Sequence, residues 1–199
     1  KGQQWERALL FLDQMPRKSI FPDSVTCTAS ISACEKGLRW QCALGLLRSF
    51  RPRRLVPETI SYNAAVSSCE KGEQWEWALA LVGEMKRLGY ELNLITYCAA
   101  TSACEKSGQW ERALRLLSEM QSEEILPDTF AHNAAIGACS KGKQWRWVLA
   151  LLQQMVQQRL ESDLITYNTV MSAGKLREWA PRLLGEMHLM VSELLICIG

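Results

Sequence analysis

Apolar and polar positions along the chain form successive pairs of helical stripes. Within residues 59–93, the first stripe consists of Ile60, Ala64, Ala65, Val66 and Cys69. Gly72 ends this stripe, and a second one at i, i+3, i+4, i+6, i+7 and i+10 runs from Trp75 to Met85 before Gly89. The pattern predicts two amphipathic helices joined by a tight turn.

This hairpin pattern recurs with a period of 35 residues. Eight residues mark the period: Cys34, Cys69, Cys104, Cys139, Trp40, Trp75, Trp110 and Trp145. A fixed period of this length indicates a solenoid, in which each unit buries its apolar face only against its neighbours. We predict an all-α solenoid of about five helix-hairpin units, the first and last incomplete. The predicted divisions are the second half of a truncated repeat (1–23), four repeats (24–58, 59–93, 94–128, 129–163), and a degenerate repeat with a C-terminal tail (164–199).

Turn-forming and capping residues place the unit boundaries. Most units end in Pro followed by Asp, or in Asn, and such residues end one helix and cap the next. The predicted N-caps are Asp23, Asn93, Asp128 and Asp163. At the N-terminal end, Trp5 to Met15 form a second-helix stripe without a preceding first helix, and the chain begins with Lys1. We therefore expect the sequence to be part of a longer protein.

The repeat resembles the pentatricopeptide repeat family over roughly residues 1–173. The motifs that carry the resemblance are Ile60-Ser61-Tyr62-Asn63 and Ile165-Thr166-Tyr167-Asn168, Ala-Leu-x-Leu-Leu in the second helix, a Glu-Met pair near its end, and the Pro-Asp close. The uniform 35-residue units are similar to the pure (P-type) class of the family. Tetratricopeptide units run 34 residues and carry a different Trp-Leu-Gly-Tyr signature.

The resemblance implies a right-handed α-solenoid whose first helices line a groove for single-stranded RNA, about one base per repeat. It also implies action in a mitochondrion or plastid. In the family, the fifth and last residues of a unit read the base edge, and the second residue wedges between bases. Carried onto this chain, the fifth places are Thr28, Asn63, Cys98, Asn133 and Asn168. The last places are Glu58, Asn93, Asp128 and Asp163, and the wedges are Val25, Ile60, Ile95, Phe130 and Ile165.

The family's usual pairings imply the order purine, pyrimidine, unread, U, pyrimidine from 5′ to 3′. Cys98 and Glu58 depart from the family pattern, which leaves the first and third letters weakly specified. Each place also has a purely structural interpretation: Asn side chains bond locally, Asp and Asn cap helices, and apolar second places pack in a core. The residues alone leave these alternatives open.

A recurrent lysine ends each predicted first helix. These residues are Lys36, Lys71, Lys106 and Lys141. A cation at this point is favoured by the helix dipole, and one ammonium per repeat also suits a backbone with one phosphate per nucleotide. We predict phosphate contacts for the four lysines. The recurrent Trp stripe, in contrast, opens the second helices, where packing is the favoured interpretation over base stacking.

Composition and the remaining side chains indicate a binding protein rather than an enzyme. The formal net charge is only +2, so the charge of the whole chain does not by itself indicate a polyanionic partner. The recurrent Cys occupy equivalent places on helices at least about 8 Å apart, beyond disulfide reach. His132 and His188 are the only histidines and no C-x-x-C spacing occurs, so we predict neither a metal site, nor a cofactor, nor a catalytic nucleophile.

The sequence therefore predicts selective binding of single-stranded RNA in support of RNA processing, stability or translation. We expect the chain to act by occupying the RNA or by recruiting other RNA-processing proteins. No apolar run approaches the roughly 20 residues of a membrane span, and no small-molecule substrate is expected. The alternative is a protein interaction scaffold that holds a peptide in the same groove.

Overall fold

The computed structural model describes residues 4–160 together with Thr166 and Thr169. Within this part the chain forms nine α-helices and no strand. They are α1 (Gln4–Arg17), α2 (Ser24–Lys36), α3 (Trp40–Arg48), α4 (Thr59–Lys71), α5 (Trp75–Arg87), α6 (Leu94–Lys106), α7 (Trp110–Ser122), α8 (Thr129–Lys141) and α9 (Trp145–Gln157). None of these helices is long and apolar enough to cross a membrane.

The helices form two rows. The first helices of the repeats, α2, α4, α6 and α8, pack directly against one another. The second helices α3, α5 and α7 each pack against the first helices on either side, and α1 and α9 pack against α2 and α8 at the two ends of the described part. Close helix-to-helix packing along a row is confined to the first helices in the described part of the chain. The first-helix row is therefore the tighter one, and it forms the inner side of the solenoid.

Small side chains permit the close approach of the first helices. Ala65, Ala100 and Ala135 are completely buried at equivalent places, and Gly137 occurs where the other units have Ser. Interaxial distance falls with the size of the contacting side chains. Because α4 and α6 are each covered by two first helices and two second helices, they bury residues on several faces and leave one face to solvent.

The predicted N-cap residues begin the first helices, as the sequence predicts. The Asp23, Asn93 and Asp128 side chains accept hydrogen bonds from the third backbone N–H of α2, α6 and α8, at 2.8 to 3.1 Å. The hydrogen bonds to Asp23 from the Thr26 side chain and backbone lower the pKa of its carboxyl. Asp163 lies outside the described residues, as does the predicted degenerate repeat apart from Thr166 and Thr169.

The recurrent tryptophans pack at the junctions between units. A Cβ added to the turn glycine Gly72 would lie 2.4 Å from Trp40 Cδ1, and one added to Gly142 would lie 2.4 Å from Trp110 Cδ1. The tryptophans Trp40 and Trp110 thus cover the hairpin turn of the next repeat, and the glycines at these turns leave room for the rings. Packing, rather than base stacking, is the role that the structure gives to these rings.

The recurrent cysteines are core residues. Cys34, Cys69, Cys104 and Cys139 are fully buried, and every cysteine in the described residues is a free thiol. Burial raises the pKa of Cys69 and of Cys139 to about 12. They therefore stay neutral and pack as small apolar groups, as predicted.

Candidate nucleic-acid interface

The second residue of each first helix is exposed. The exposed fractions are 68% for Val25, 64% for Ile60, 64% for Ile95 and 56% for Phe130. Core packing is thereby excluded for these four places. They form a row of single apolar side chains along the first helices, and Ile165 lies outside the described residues.

The fifth and last places of a unit meet in space. Asn63 Nδ2 donates to Asn93 Oδ1 at 3.4 Å, and Cys98 Sγ donates to Asp128 Oδ1 at 3.6 Å. The partners are 30 residues apart in sequence, and they meet because each last residue caps the first helix of the following unit. Together with the second-place row, these pairs form the surface that we name the groove face.

Each polar pair lies between two exposed apolar side chains. Asn63 is three residues after Ile60, on the same face of α4, and Asn93 is two residues before Ile95. The groove face therefore repeats an apolar side chain and a polar pair once per unit. Asn133 belongs to the same series, but its predicted partner Asp163 and the Asn168 of the next unit lie outside the described residues.

The capping bond restricts how a last-place residue faces the groove. Asn93 Oδ1 accepts from Thr96 N–H at 3.1 Å, and Asp128 Oδ1 accepts from Ala131 N–H at 2.8 Å. The second polar atom of each side chain, Nδ2 or Oδ2, is the one that remains for a ligand. Capping and base contact are thus compatible in one residue.

The first described junction differs from the others. Glu58 precedes α4, and its backbone N–H donates to Ser61 Oγ at 3.3 Å. The fifth-place Thr28 hydroxyl donates to the backbone oxygen of Ser24 at 2.7 Å and lies 2.6 Å from Ser61 Oγ. No contact between Thr28 and Glu58 corresponds to the Asn63–Asn93 pair among the hydrogen bonds of the described residues.

A third-place hydroxyl contacts most of the fifth-place side chains, a feature absent from the sequence-based prediction. Thr96 Oγ1 lies 2.6 Å from Asn63 Oδ1, and Thr166 Oγ1 lies 2.6 Å from Asn133 Oδ1. Ser61 has the same relation to Thr28. These hydroxyl residues are fully buried. The hydroxyl residues recur with the 35-residue period of the repeat, so the sequence contained a signal from which this contact could have been predicted.

The recurrent lysines pair with glutamates of the preceding unit. Lys71 Nζ lies 2.6 Å from Glu35 Oε1, Lys106 Nζ lies 2.6 Å from Glu70 Oε1, and Lys141 Nζ lies 3.4 Å from Glu105 Oε1. We name these three pairs the Lys–Glu ladder. It gives the glutamates a structural role between repeats and reduces the positive charge that the lysines offer to phosphates. Lys36, at the end of the row, is exposed.

In two units a tyrosine at the fourth place connects the first helix to an acidic side chain. Tyr62 donates to Glu84 at 3.2 Å, and Tyr97 donates to Glu123 at 2.7 Å. Burial, followed by these carboxylates, raises the pKa of each phenol to about 12. Glu123 in turn has a lowered pKa, because Tyr97 donates to it and Lys86 lies 3.1 Å away.

His132 takes the fourth place in the unit that begins at Thr129. Its Nδ1 lies 3.0 Å from the backbone oxygen of Asp128, and its Nε2 is buried with no hydrogen-bond partner in the described part of the structure. Burial lowers the pKa of His132. No group of three or more His, Cys, Asp or Glu side chains in the described residues has the geometry of a metal site.

Models of the repeat match the middle of the chain. The pentatricopeptide repeat domain model matches residues 80–142, and the PPR repeat model matches residues 60–90 and 130–160. No curated protein sequence matches the chain significantly.

Solved structures of pentatricopeptide repeat proteins have the same fold. The maize pentatricopeptide repeat protein PPR10 aligns with a TM-score of 0.70 at 29% identity, over 95% of this chain and 27% of that one. PPR10 in complex with an 18-nt psaJ RNA element gives 0.75 at 24% identity, over 93% and 27%.

The PPR domain of Arabidopsis thaliana protein-only RNase P 1, in complex with tRNA, gives a TM-score of 0.73 at 17% identity, over 85% of this chain and 89% of that domain. The chain thus spans about a quarter of the length of PPR10. The repeat models and the shared solenoid fold lead to one conclusion: the chain belongs to the pentatricopeptide repeat family.

Proposed function

We propose that the groove face binds single-stranded RNA, with one nucleotide at each unit, and that the chain supports RNA processing, stability or translation in a mitochondrion or plastid. One observation carries the proposal: a polar pair within hydrogen-bond distance lies between exposed apolar side chains in successive units. An unstacked base offers an apolar face and a polar edge, which such a surface complements.

Two of the solved structures support this proposal because they contain bound RNA. PPR10 and the PPR domain of protein-only RNase P 1 are complexes with RNA, an 18-nt psaJ element and a tRNA respectively. We propose that this chain acts by binding and not by catalysis, and that other RNA-processing proteins are recruited to the RNA it occupies.

The role of each site residue is part of the proposal. The fifth places Thr28, Asn63, Cys98, Asn133 and Asn168 and the last places Glu58, Asn93, Asp128 and Asp163 contact base edges. Val25, Ile60, Ile95, Phe130 and Ile165 separate the bases. Lys36, Lys71, Lys106 and Lys141 contribute to phosphate contact, the last three within the electrostatic limits that the Lys–Glu ladder imposes.

A peptide-binding scaffold is a less suitable use of this surface. Its apolar side chains occur singly, with polar pairs between them, whereas grooves that hold amphipathic helices offer continuous apolar anchor sites. The polar pairs also supply side-chain donors and acceptors of the kind that read base edges.

Fluorescence competition binding tests the proposal with single-stranded RNA, duplex RNA and single-stranded DNA of one sequence, 5′-ACAUU-3′. The groove variant is Ile60→Ser with Ile95→Ser. The matched control is Leu38→Ser with Leu88→Ser, because these residues are similarly exposed, at 61% and 52%, but lie off the groove face. Base contacts are worth about 1 kcal/mol or more each, so we expect the groove variant to bind RNA about tenfold or more weakly than the control variant.

Equal loss of RNA binding in both variants, or no binding of single-stranded RNA by the parent chain, would contradict the proposal. Binding of an extended peptide in competition with RNA would instead favour the scaffold.

A further inference from the structure

We propose that the buried third-place hydroxyl of each following repeat is a positioning residue, which fixes the orientation of the fifth-place side chain of the preceding repeat and thereby sets its base preference. The residues concerned are Ser61, Thr96 and Thr166. This inference rests on the proposed function, since it concerns how the groove face distinguishes bases.

Hydrogen bonding around Asn63 favours one amide orientation. Asn93 Oδ1 already accepts from Thr96 N–H, so the Asn63 atom facing it at 3.4 Å has to be the Nδ2 donor. The Asn63 oxygen then faces Thr96 Oγ1 at 2.6 Å, whereas Asn93 Oδ1 lies 2.9 Å from the same hydroxyl and already accepts from the Thr96 backbone N–H. We therefore assign the single Thr96 hydroxyl proton to the shorter contact with Asn63. A flipped amide would place two acceptor oxygens against each other.

This orientation determines what Asn63 offers to a base. One N–H of Nδ2 is directed to Asn93 and the oxygen is occupied by Thr96, so the second N–H is the group left for a ligand. That group is a donor, and it suits a base that presents a carbonyl acceptor, such as the O2 atom common to both pyrimidines.

At Thr28 the same hydroxyl place has a different consequence. The Thr28 proton is committed to the backbone oxygen of Ser24 at 2.7 Å, so Ser61 is the donor in the 2.6 Å contact between the two hydroxyls. Thr28 is left with acceptor capacity only. Thr28 therefore offers an acceptor to a base where Asn63 offers a donor. This difference agrees with the purine expected at the Thr28 unit and the pyrimidine expected at the Asn63 unit.

The remaining junction provides an internal comparison. Where the fifth place is Cys98, a poor hydrogen-bond partner, the third place of the next unit is Ala131 and supplies no hydroxyl. Within the described residues, the hydrogen bond of Cys98 is the one it donates to Asp128. A third-place hydroxyl is thus present in the unit that follows a Thr or Asn at the fifth place, and it is absent in the unit that follows Cys98.

Substitution of Thr96 tests the inference on the full 199-residue chain. Thr96→Val removes the hydroxyl and keeps the shape, and Thr96→Ser retains the hydroxyl. The matched control is Thr101→Val, because Thr101 is also fully buried in α6 but donates only to the backbone oxygen of Tyr97 at 2.8 Å. The probes are four RNAs, 5′-ANAUU-3′ with N as A, C, G or U, in which the fixed U at the Asn133 unit maintains the register.

We expect the parent, Thr96→Ser and Thr101→Val to prefer a pyrimidine at N by about fivefold to tenfold. In Thr96→Val this preference should fall below about twofold. The Asn63 side-chain amide, followed by NMR without RNA, should give two Nδ2 proton signals with well-dispersed chemical shifts in the parent, and shifts closer to those of a solvent-exposed Asn in Thr96→Val.

A constructive test uses the junction without a hydroxyl. Cys98→Asn alone should prefer U at the third nucleotide by less than about twofold, and Cys98→Asn with Ala131→Ser should raise this preference to about fivefold, read with 5′-ACNUU-3′.

The inference is overturned if Thr96→Val keeps the parent base ranking, if Thr101→Val loses it equally, or if Ala131→Ser adds nothing to Cys98→Asn. If the parent chain binds none of the RNAs, the proposed function fails and the base-reading role fails with it. The NMR signals then report separately whether Thr96 orients Asn63.

Discussion

The Lys106 ammonium lies 2.6 Å from the Glu70 carboxylate of the preceding repeat, and Glu70 also accepts from Ser102 at 3.1 Å. The equivalent glutamate Glu35 accepts from Ser67 at 2.9 Å and pairs with Lys71. Both lysine side chains are about one-third exposed, so they remain accessible to an anion. The ladder therefore connects neighbouring first helices while it lowers the charge available to a phosphate.

Removing the ladder glutamates should strengthen RNA binding. Four lysines that neutralise phosphates would give a log-log salt slope of roughly −3 on a single strand. Because glutamates neutralise three of them, we expect a shallower slope in the parent and a slope near −3 in the variant Glu35→Gln, Glu70→Gln, Glu105→Gln. Binding titrations from 50 to 300 mM salt measure it.

The control for this change replaces the four lysines by Gln, which should flatten the slope. An unchanged slope in both variants would show that the lysines only cap and connect helices. Exposed ion pairs contribute about 0.2–1 kcal/mol each, so melting temperatures should fall only slightly.

Asn133→Thr should change the preference of its unit from U toward G. The family's pairing makes the fifth place discriminate pyrimidine from purine, and Asn133 Oδ1 accepts from Thr166 at 2.6 Å. A mismatched base costs about 1–3 kcal/mol, and a short array should lie near the low end, giving about a fivefold to tenfold change in relative affinity. Competition binding with 5′-ACANU-3′ measures it, and identical base rankings in parent and variant would make Asn133 a structural residue.

Gly72→Ala should destabilise the solenoid. The new Cβ would lie 2.4 Å from Trp40 Cδ1, so the ring has to move. Overpacking of this kind lowers the free energy of unfolding by about 1–3 kcal/mol. We expect a loss of about 1 kcal/mol, because Ser107, which has a Cβ, occupies the equivalent place in the next unit. Urea unfolding measures the change.

Gly83→Ala is the matched control, since nothing lies within 4 Å of its added Cβ and the residue is within α5. That substitution should stabilise the protein by about 0.5–1 kcal/mol. Similar effects of the two substitutions would mean that the Trp40 ring does not depend on a glycine at the turn.

Acidification should destabilise the protein through His132. Burial lowers its native pKa, whereas the unfolded chain has the ordinary value of about 6.5. Between these two values the unfolded state binds more protons, so the contribution of His132 to stability is present above about pH 6.5 and is lost as the pH falls toward the native pKa.

The loss should reach at most about 1.4 kcal/mol per pH unit, and His132→Phe should remove it. Urea unfolding of the parent and the variant at pH 7.5, 6.5 and 5.5 gives the difference. Parallel pH dependence in the two proteins would show that His132 does not control this transition.

The sequence by itself determined the elements of this protein. The 35-residue period, the helical stripes and the glycine turns depend on interactions within one unit, and they predicted the hairpins and the N-caps Asp23, Asn93 and Asp128 without knowledge of the packing. The recurrent Cys and Trp were correctly predicted to pack, because a neutral thiol behaves as a small apolar group and a recurrent indole is normally a packing group.

Tertiary structure decided which side chains meet between units. Asn63 contacts Asn93, Thr96 contacts Asn63, and Lys71 contacts Glu35, at separations of 30, 33 and 36 residues. These pairs depend on the rotation and spacing of neighbouring first helices, which the stripe of a single helix does not specify. For the same reason, the exposure of Ile60 and Ile95 could not be predicted from apolar character, since the closeness of the next first helix decides which face of α4 or α6 stays open to solvent.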